Sequence, residues 1–350
     1  MSEVLTKLSV IVCTRNRGAS LRKTLDSLLT ASNLAQQDWE LVVVDNGSTD
    51  STSSVLAEYA TKFPSHLRTK GEPKKGKSNA LNTGVCAARG EILAFTDDDC
   101  LCDVRYLEGI REVFSNPDVD AVQGRILVEV EGQRPAWLSQ EMLASMGLID
   151  LCQTVHELAP SEVYLHGGNS IVRRSVFAKA GGFRLDLGPG SVAGREGDTE
   201  FSRRVAAAGC RIFFVPQILV RHQLQATCMR RRYYFARFYH RGISRAHYFP
   251  IARYNPSWDP SVPAWRYKMY YIKEMLFAGV RAFCLNLWGR SADAMDLVLK
   301  LVEETGFYWE FARLRRLGIT GFPVPAILDQ DGQPVRSEAG PVSLVGAVAG

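Results

Sequence analysis

The chain has 350 residues, 46% hydrophobic and 23% charged, with 42 Lys and Arg against 37 Asp and Glu for a formal net charge of +5. That composition suits an ordinary globular protein with room for a sizeable core, and it excludes a collagen-like, highly charged disordered or disulfide-stapled chain. A balance this close to neutral names no polyanionic partner by itself.

The first residues, MSEVLTKLSV, place no long apolar run behind a basic segment, so no signal peptide is expected. The first strand is expected at LSVIVCT (8–14). The segment ASLRKTLDSLL follows, with Leu21, Leu25, Leu28 and Leu29 on one helical face. WELVVVDN (39–46) reads as a second buried strand, and NGSTDSTSSVLAEYA as a helix that opens on cap-forming residues. GKSNALNTGVCAARG reads as a third helix stopped at Gly90, and EILAFTDD (91–98) as a third strand. Near-continuous apolar runs rich in β-branched residues suit strands buried on both faces of a parallel sheet.

Alternating strands and helices predict a doubly wound α/β fold, in which ligands bind beyond the carboxyl ends of the strands. Polar residues then converge on one edge: Thr14, Arg15 and Arg17 from the first strand, Asp45, Asn46 and Asp50 from the second, Asp97, Asp98 and Asp99 from the third. Three adjacent carboxylates repel one another. A hard divalent cation relieves that repulsion, and Mg²⁺ or Mn²⁺ is commonly held by one or two carboxylates together with substrate phosphates. A solvated acidic turn is the competing reading.

Two phosphate-binding patterns are disfavoured. The turn after the first strand, CTRNRGAS, has a single glycine, so it is not a dinucleotide fingerprint. Gly71 to Ser78 spells G-x4-G-K-S, but SHLRTKGEPKKGKS is mostly polar and offers no convincing buried strand before it. Cys100 and Cys102 form a lone C-x-C without the other ligands of a zinc site. Eight cysteines without a C-x-x-C pair fit reduced thiols in a cytoplasmic protein.

From 221 to 258 the chain holds eight arginines (Arg221, Arg230, Arg231, Arg232, Arg237, Arg241, Arg245 and Arg253) and no Asp or Glu, with aromatic residues interleaved. An anionic membrane surface is the expected partner for such a face, and a solvated helix is the alternative. Prolines 250, 256, 260 and 263 suggest a linker, 265–317 two amphipathic helices, and the Gly/Pro-rich end from about 320 a flexible tail. YYIKEMLFAGVRAFCLNLW is broken by Lys273, Glu274 and Arg281, so it is a poor membrane span.

Taken in order, SVIVCTRNR, VVVDNGSTD, GKSNALNTGVCAARGEILAFTDDD, HGGNSIVRRSVFAKAGGFRLDLG and GREGDTEFSRRVAAAGCRIFFVPQILVRH resemble the family-2 nucleotide-sugar glycosyltransferases over roughly residues 7–222. The resemblance implies a GT-A-type doubly wound mixed sheet flanked by helices, with a helical C-terminal extension. It implies a catalytic domain over 1–225, a basic helical region over 226–318 and a tail over 319–350. It further implies inverting transfer of a sugar from a nucleotide-diphosphate donor, a UDP-sugar foremost, to a saccharide or lipid-linked acceptor, with Mn²⁺ or Mg²⁺ and no nucleic acid. The expected location is cytoplasmic, including the inner face of a membrane.

Residue by residue, Asp45 resembles the aspartate that bonds the nucleotide base, with Thr14 and Arg17 in the same pocket. Lys77 and Asn82 match positions that approach the nucleotide, as does Asp98. Asp97 and Asp99 bracket the D-x-D motif, Asp99 being the foremost metal ligand, and His222 matches a histidine that ligates metal in some members. Asp198 matches the general base. The family's usual Glu-Asp pair is Gly197-Asp198 here, which leaves the acceptor contact to Glu196 or Glu200. Gly168, Asn169 and, from its aromatic character, Trp137 are further expected acceptor or sugar contacts. A Mg²⁺-dependent nucleotidyltransferase and a non-catalytic sugar-nucleotide binding protein are the rival readings.

Overall fold

The computed structural model describes residues 8–32, 38–159, 165–248, 264–319 and 322–327. The three apolar runs become β1 (Leu8–Thr14), β2 (Trp39–Asp45) and β4 (Ile92–Asp97). They pair in parallel, β1 lying between the other two, with Cys13 opposite Asp97 and Thr14 opposite Asp45. Val10, Ile11, Val12, Leu41, Val42, Val43, Val44, Leu93 and Ala94 are all fully buried, as continuous apolar strands covered on both faces must be. Between them run α1 (Gly18–Ser32), α2 (Thr52–Lys62) and α3 (Lys77–Ala87). Leu21, Leu25 and Leu28 of α1 are fully buried, each stabilising the layer by roughly 1.5–3 kcal/mol.

The sheet continues beyond those runs. β3 (Leu67–Gly71) adds to β2 in parallel, formed by the polar segment that reads poorly as a strand. It can be polar because it is the sheet's outer edge and has an exposed end. On the other side β8 (Asn169–Arg173) is antiparallel to β4, β6 (Ala121–Val130) is antiparallel to β8, and β9 (Ile212–Leu224) is parallel to β6. β5 (Cys100–Cys102) and β7 (His156–Glu157) both pair with β9 in antiparallel fashion. The order β3-β2-β1-β4-β8-β6-β9-β5 is that of a mixed sheet, packed with helices that include α4 (Tyr106–Phe114), α6 (Ser175–Ala180) and α7 (Gly197–Ala207).

Past β9 the chain forms α8 (Arg231–Tyr248), α9 (Ala264–Leu287) and α10 (Ser291–Arg316). Tyr234 and Phe238 of α8, Met295 and Leu299 of α10, and Leu138 and Met142 share a second core, the last from α5 (Gln140–Ser145). The two long helices cross on glycine. A Cβ at Gly242 would lie 1.8 Å from the Glu303 carbonyl oxygen, and one at Gly306 would lie 2.1 Å from that of Tyr239. The start of the expected tail is pinned: Phe322 stacks on His247 with centroids 4.4 Å apart, Gly182 N donates to Pro325 O at 2.8 Å, and Ile327 is buried. Flexibility over 319–350 is thus corrected for 322–327, where apolar side chains find a surface. The remainder of the tail and the proline segment lie outside the described residues. Among the described residues no helix is long and apolar enough to cross a membrane.

Candidate active site

A cavity of about 970 Å³ opens where β1, β4 and β9 end, closed by α5, the start of α7 and one face of α8. The β4–β5 corner supplies its acidic side. Asp98 is buried, accepting from Thr14 Oγ1 at 2.7 Å and from Arg17 Nη1 at 2.8 Å. Burial pushes its carboxyl up to about 6, against the pull of Arg17. Arg17 also bonds Asp99. Asp97 bonds the ammonium of Lys77, and both line the cavity.

Ladder register brings His222 to Asp99. Cys100 pairs with His222 across β5 and β9, and Gln223 N donates to Asp99 O at 2.8 Å. The imidazole Nδ1 lies 2.9 Å from Met146 O, which can only accept, so Nδ1 carries hydrogen and Nε2 faces Asp99 Oδ1 at 3.3 Å. Burial alone would depress the His222 imidazole, but Asp99 overrides it and holds it raised; His222 and Arg17 together keep Asp99 low against the opposing effect of burial. Asp99 Oδ1 is buried and accepts no hydrogen bond among the described residues. A carboxylate and an imidazole oriented by a backbone carbonyl fit a divalent cation. Asp97 does not join them, and among the described residues no three His, Cys, Asp or Glu side chains form a group able to hold a metal. Of the expected Asp97, Asp99 and His222, the structure brings Asp99 and His222 together, while Asp97 bonds Lys77.

Asp198 enters from the first turn of α7. Its Oδ2 accepts from Gly167 N at 3.1 Å and its Oδ1 from Thr199 N at 2.9 Å. The side chain stays 30% exposed toward the cavity. Lys77 Nζ and Asp198 Oδ2 both lie beside Gly167, 3.5 and 3.7 Å from where a Cβ on it would stand, so the two groups share one corner. His166 Nδ1 accepts from Gly168 N at 3.2 Å, which leaves Nε2–H directed at Asp198 Oδ2, 4.0 Å away. Burial lowers the His166 pKa despite the pull of Asp198 and Asp97. Burial works against ionising Asp198, yet His166 and Lys77 keep its carboxyl below the usual range. It is therefore a carboxylate at neutral pH.

Glu196 also lines the cavity, in a left-handed conformation at φ 62°, and accepts from Tyr248 Oη at 3.2 Å. Its sequence rival Glu200 is buried in a bidentate pair with Arg204, at 2.8 Å for each contact. Glu200 is thereby excluded as an acceptor contact.

Several expected contacts lie off the cavity wall. Asn82 spends both ends of its amide on Phe183, donating to O at 2.8 Å and accepting from N at 2.9 Å. Asn169 is fully buried and ties Arg125 O and Ile218 O together. Gly168 accepts from Thr96 Oγ1. Trp137 packs edge-on against Tyr234, centroids 5.6 Å apart, beneath the Arg231 guanidinium. The structure gives these four packing and backbone-tying contacts and places none of them in the cavity lining. Asp45 closes β2 by accepting from Ser48 N at 2.9 Å and is not in the wall, whereas its neighbour Asn46 is.

Asn46 also settles the G-x4-G-K-S stretch. Its amide donates to Glu72 O and Lys74 O and accepts from Gly76 N, while Lys77 N donates to Pro189 O. A strand does precede this loop, but Gly76 and Lys77 have their amides committed within the fold, so the loop is no open phosphate nest.

Sequence reasoning missed His166, Arg195, Arg237 and Arg241 as cavity residues. His166 opens the HGGNS run and could have been singled out there. The arginines belong to a fold-back that no local pattern announces. Arg237 and Arg241 stand in the stretch assigned to a membrane face, and Arg245 is buried against Glu303 and Glu304 of α10. Only Arg230, Arg231 and Arg232 of the described group are exposed. The stretch is not one uniformly exposed face: Arg241 and Arg245 turn to acids of α10 and Arg221 to Asp103 and Glu129.

Residues 9–181 match the family described as Glycosyl transferase family 2. The chain is 34% identical over 116 residues to an uncharacterized glycosyltransferase of Nostoc sp., covering 33% of this chain and 35% of that one. It is 26% identical over 228 residues to glycosyltransferase AglE of Haloferax volcanii, covering 63% and 68%. The chain thus spans from about a third to about two thirds of the length of these curated relatives. Among solved structures, a mannosyltransferase from Pyrobaculum calidifontis in complex with GDP-Man and Mn²⁺ superposes with TM-score 0.52 at 21% identity, over 92% of this chain and 77% of that one. That likeness is one of fold. With its five motifs in order and a mixed GT-A-type sheet beneath them, the chain belongs to glycosyltransferase family 2.

Proposed function

We propose that the protein transfers a sugar from a nucleotide-diphosphate donor to an acceptor hydroxyl with inversion, Asp198 acting as general base. What supports this reading is one juxtaposition: the Asp97–Asp99 corner and Asp198, distant in sequence, face a single cavity. The donor lies along the β1 and β4 ends, by Thr14, Arg17, Asn46 and Lys77, with Asp45 beside the base. Asp99 and His222 hold Mn²⁺ or Mg²⁺, which when bound neutralises the diphosphate leaving group.

Asp198 takes the acceptor proton as the acceptor oxygen forms its bond to the anomeric carbon and the bond to the diphosphate breaks. The nucleoside diphosphate departs from the opposite face, so configuration inverts. Lys77 keeps Asp198 ionised, and the Gly167 and Thr199 amides fix its direction. Only one carboxylate is required, because no covalent sugar intermediate forms. A nucleotidyltransferase reading leaves Asp198 and His166 without a task.

The test is Asp198→Asn, assayed with a panel of nucleotide sugars including UDP- and GDP-sugars and Mn²⁺. General-base loss is expected to lower kcat/KM by about 10²–10⁴-fold while the dissociation constant of the donor stays near that of the parent. Transfer surviving that substitution would overturn the assignment of the base.

A further inference from the structure

The charges that line the cavity do not cancel locally. Arg17 is paired with Asp98 and Asp99, Lys77 with Asp97, and Arg241 lies 3.7 Å from Glu196. Arg15, Lys75, Arg195 and Arg237 line it too, and among the described residues none of the four forms an ion pair with a carboxylate within 4.0 Å; Arg195 and Arg237 are the two whose charges bear on each other, and Asp198 bears on Arg237. Arg195 directly precedes Glu196 at the start of α7, and Arg237 projects from α8 and donates to the Ser145 carbonyl. Both reach the same space as Asp198.

Arg237 is held low first by burial and second by the Arg195 charge, with only partial relief from Glu196 and Asp198. A desolvated guanidinium facing another is costly in a resting protein and becomes favourable when an anion arrives. Its neighbour four residues on, Arg241, and the next, Arg245, show that this helix can pair its arginines with acids of α10. At Arg237 the described residues supply none. The first residues of α7, Gly197 to Thr199, line the same cavity, so the positive end of that eleven-residue helix lies at its wall.

We propose that Arg195 and Arg237 seat a phosphate group carried by the acceptor, next to the hydroxyl that Asp198 deprotonates. This rests on the glycosyl-transfer reading above and names its acceptor class: a phosphorylated sugar or polyol, or a lipid-linked phosphate. Two planar guanidiniums from different elements match the several oxygens of a phosphate better than a single carboxylate. Under the glycosyl-transfer reading the donor diphosphate is neutralised by the divalent cation that Asp99 and His222 would hold, at the β4–β5 corner, so it does not need these two arginines.

The experiment uses the full chain with Mg²⁺ and saturating UDP or, separately, GDP, titrated with methyl phosphate, acetate and decyl phosphate by calorimetry. Methyl phosphate is expected to bind alongside the nucleotide and acetate at least tenfold more weakly. Arg195→Gln, Arg237→Gln and the double substitution should weaken phosphate by tenfold or more with nucleotide affinity unchanged. Should Arg237→Gln fail to fold, Arg195→Gln carries the same expectation. Decyl phosphate binding tenfold more tightly than methyl phosphate assigns a lipid-linked acceptor, and equal binding a soluble one. Displacement of phosphate by nucleotide, acetate binding as well as phosphate, or unchanged binding in the variants would each overturn the proposal. If neither nucleotide binds, the transferase reading fails instead, and the titration without nucleotide still reports on the arginine seat.

Discussion

Gly242→Ala puts the crossing of α8 and α10 to a quantitative test. The added Cβ would stand 1.8 Å from Glu303 O, 2.7 Å from Phe307 N and 2.8 Å from Glu303 C, all backbone atoms that cannot swing aside. To reach even 3.0 Å the helices must separate by at least about 1.2 Å, the difference between 3.0 and 1.8. A gap of 0.5–1 Å already forfeits a quarter to a half of a dispersion well, and overpacking of this kind costs roughly 1–3 kcal/mol or more. Alanine returns about 1 kcal/mol through helix propensity. With backbone on both sides the upper range applies, for a net loss of about 2 kcal/mol and a Tm lowered by roughly 3 °C in a chain of this length. Gly279→Ala, on α9, is the control: nothing lies within 4 Å of its Cβ, so propensity alone should act and Tm should rise. Scanning calorimetry reads both. A Gly242→Ala protein as stable as its parent would refute the close crossing.

Other expectations concern charge. Lys77→Met removes a cation that keeps Asp198 ionised. With Asp198 as the proposed base, acting as a carboxylate, activity should fall as pH drops through its depressed pKa; without Lys77 that pKa rises, and the acid limb of the kcat/KM profile should move to higher pH. A limb that stays in place would mean Lys77 does not act on the base. Arg204→Met strands the buried Glu200 carboxylate, leaving only Arg184 at 3.9 Å, and should cost about 3–5 kcal/mol by denaturant midpoint.

The sequence reading succeeds where the chain writes locally. β1, β2 and β4 are continuous apolar runs that end in polar residues, and a parallel sheet places such ends together. It misses β3 because an edge strand has no need of apolar residues on every side. It assigns Asn169 and Asn82 to the ligand because an amide that locks two backbones has the same local look as one that binds a sugar. The arginines of α8 deceive for a related reason: their partners Glu303 and Glu304 are close in space and remote in the chain, and charge counting along a window cannot find them. His222 is legible as a residue, but its hold on Asp99 depends on ladder register, which only the assembled sheet defines.

The two ends of the cavity come from separate stretches of chain. The β1–β4 layer presents one, and α5 with α8, braced by α10, presents the other. Substitutions on the cavity face of α8 can therefore redraw what enters one end while leaving the opposite end intact, provided Gly242 and Gly306 keep the brace in contact. Evolution can vary the incoming molecule independently of the activated sugar, and an engineer can randomise Tyr233, Arg237 and Arg241 without touching the aspartate corner.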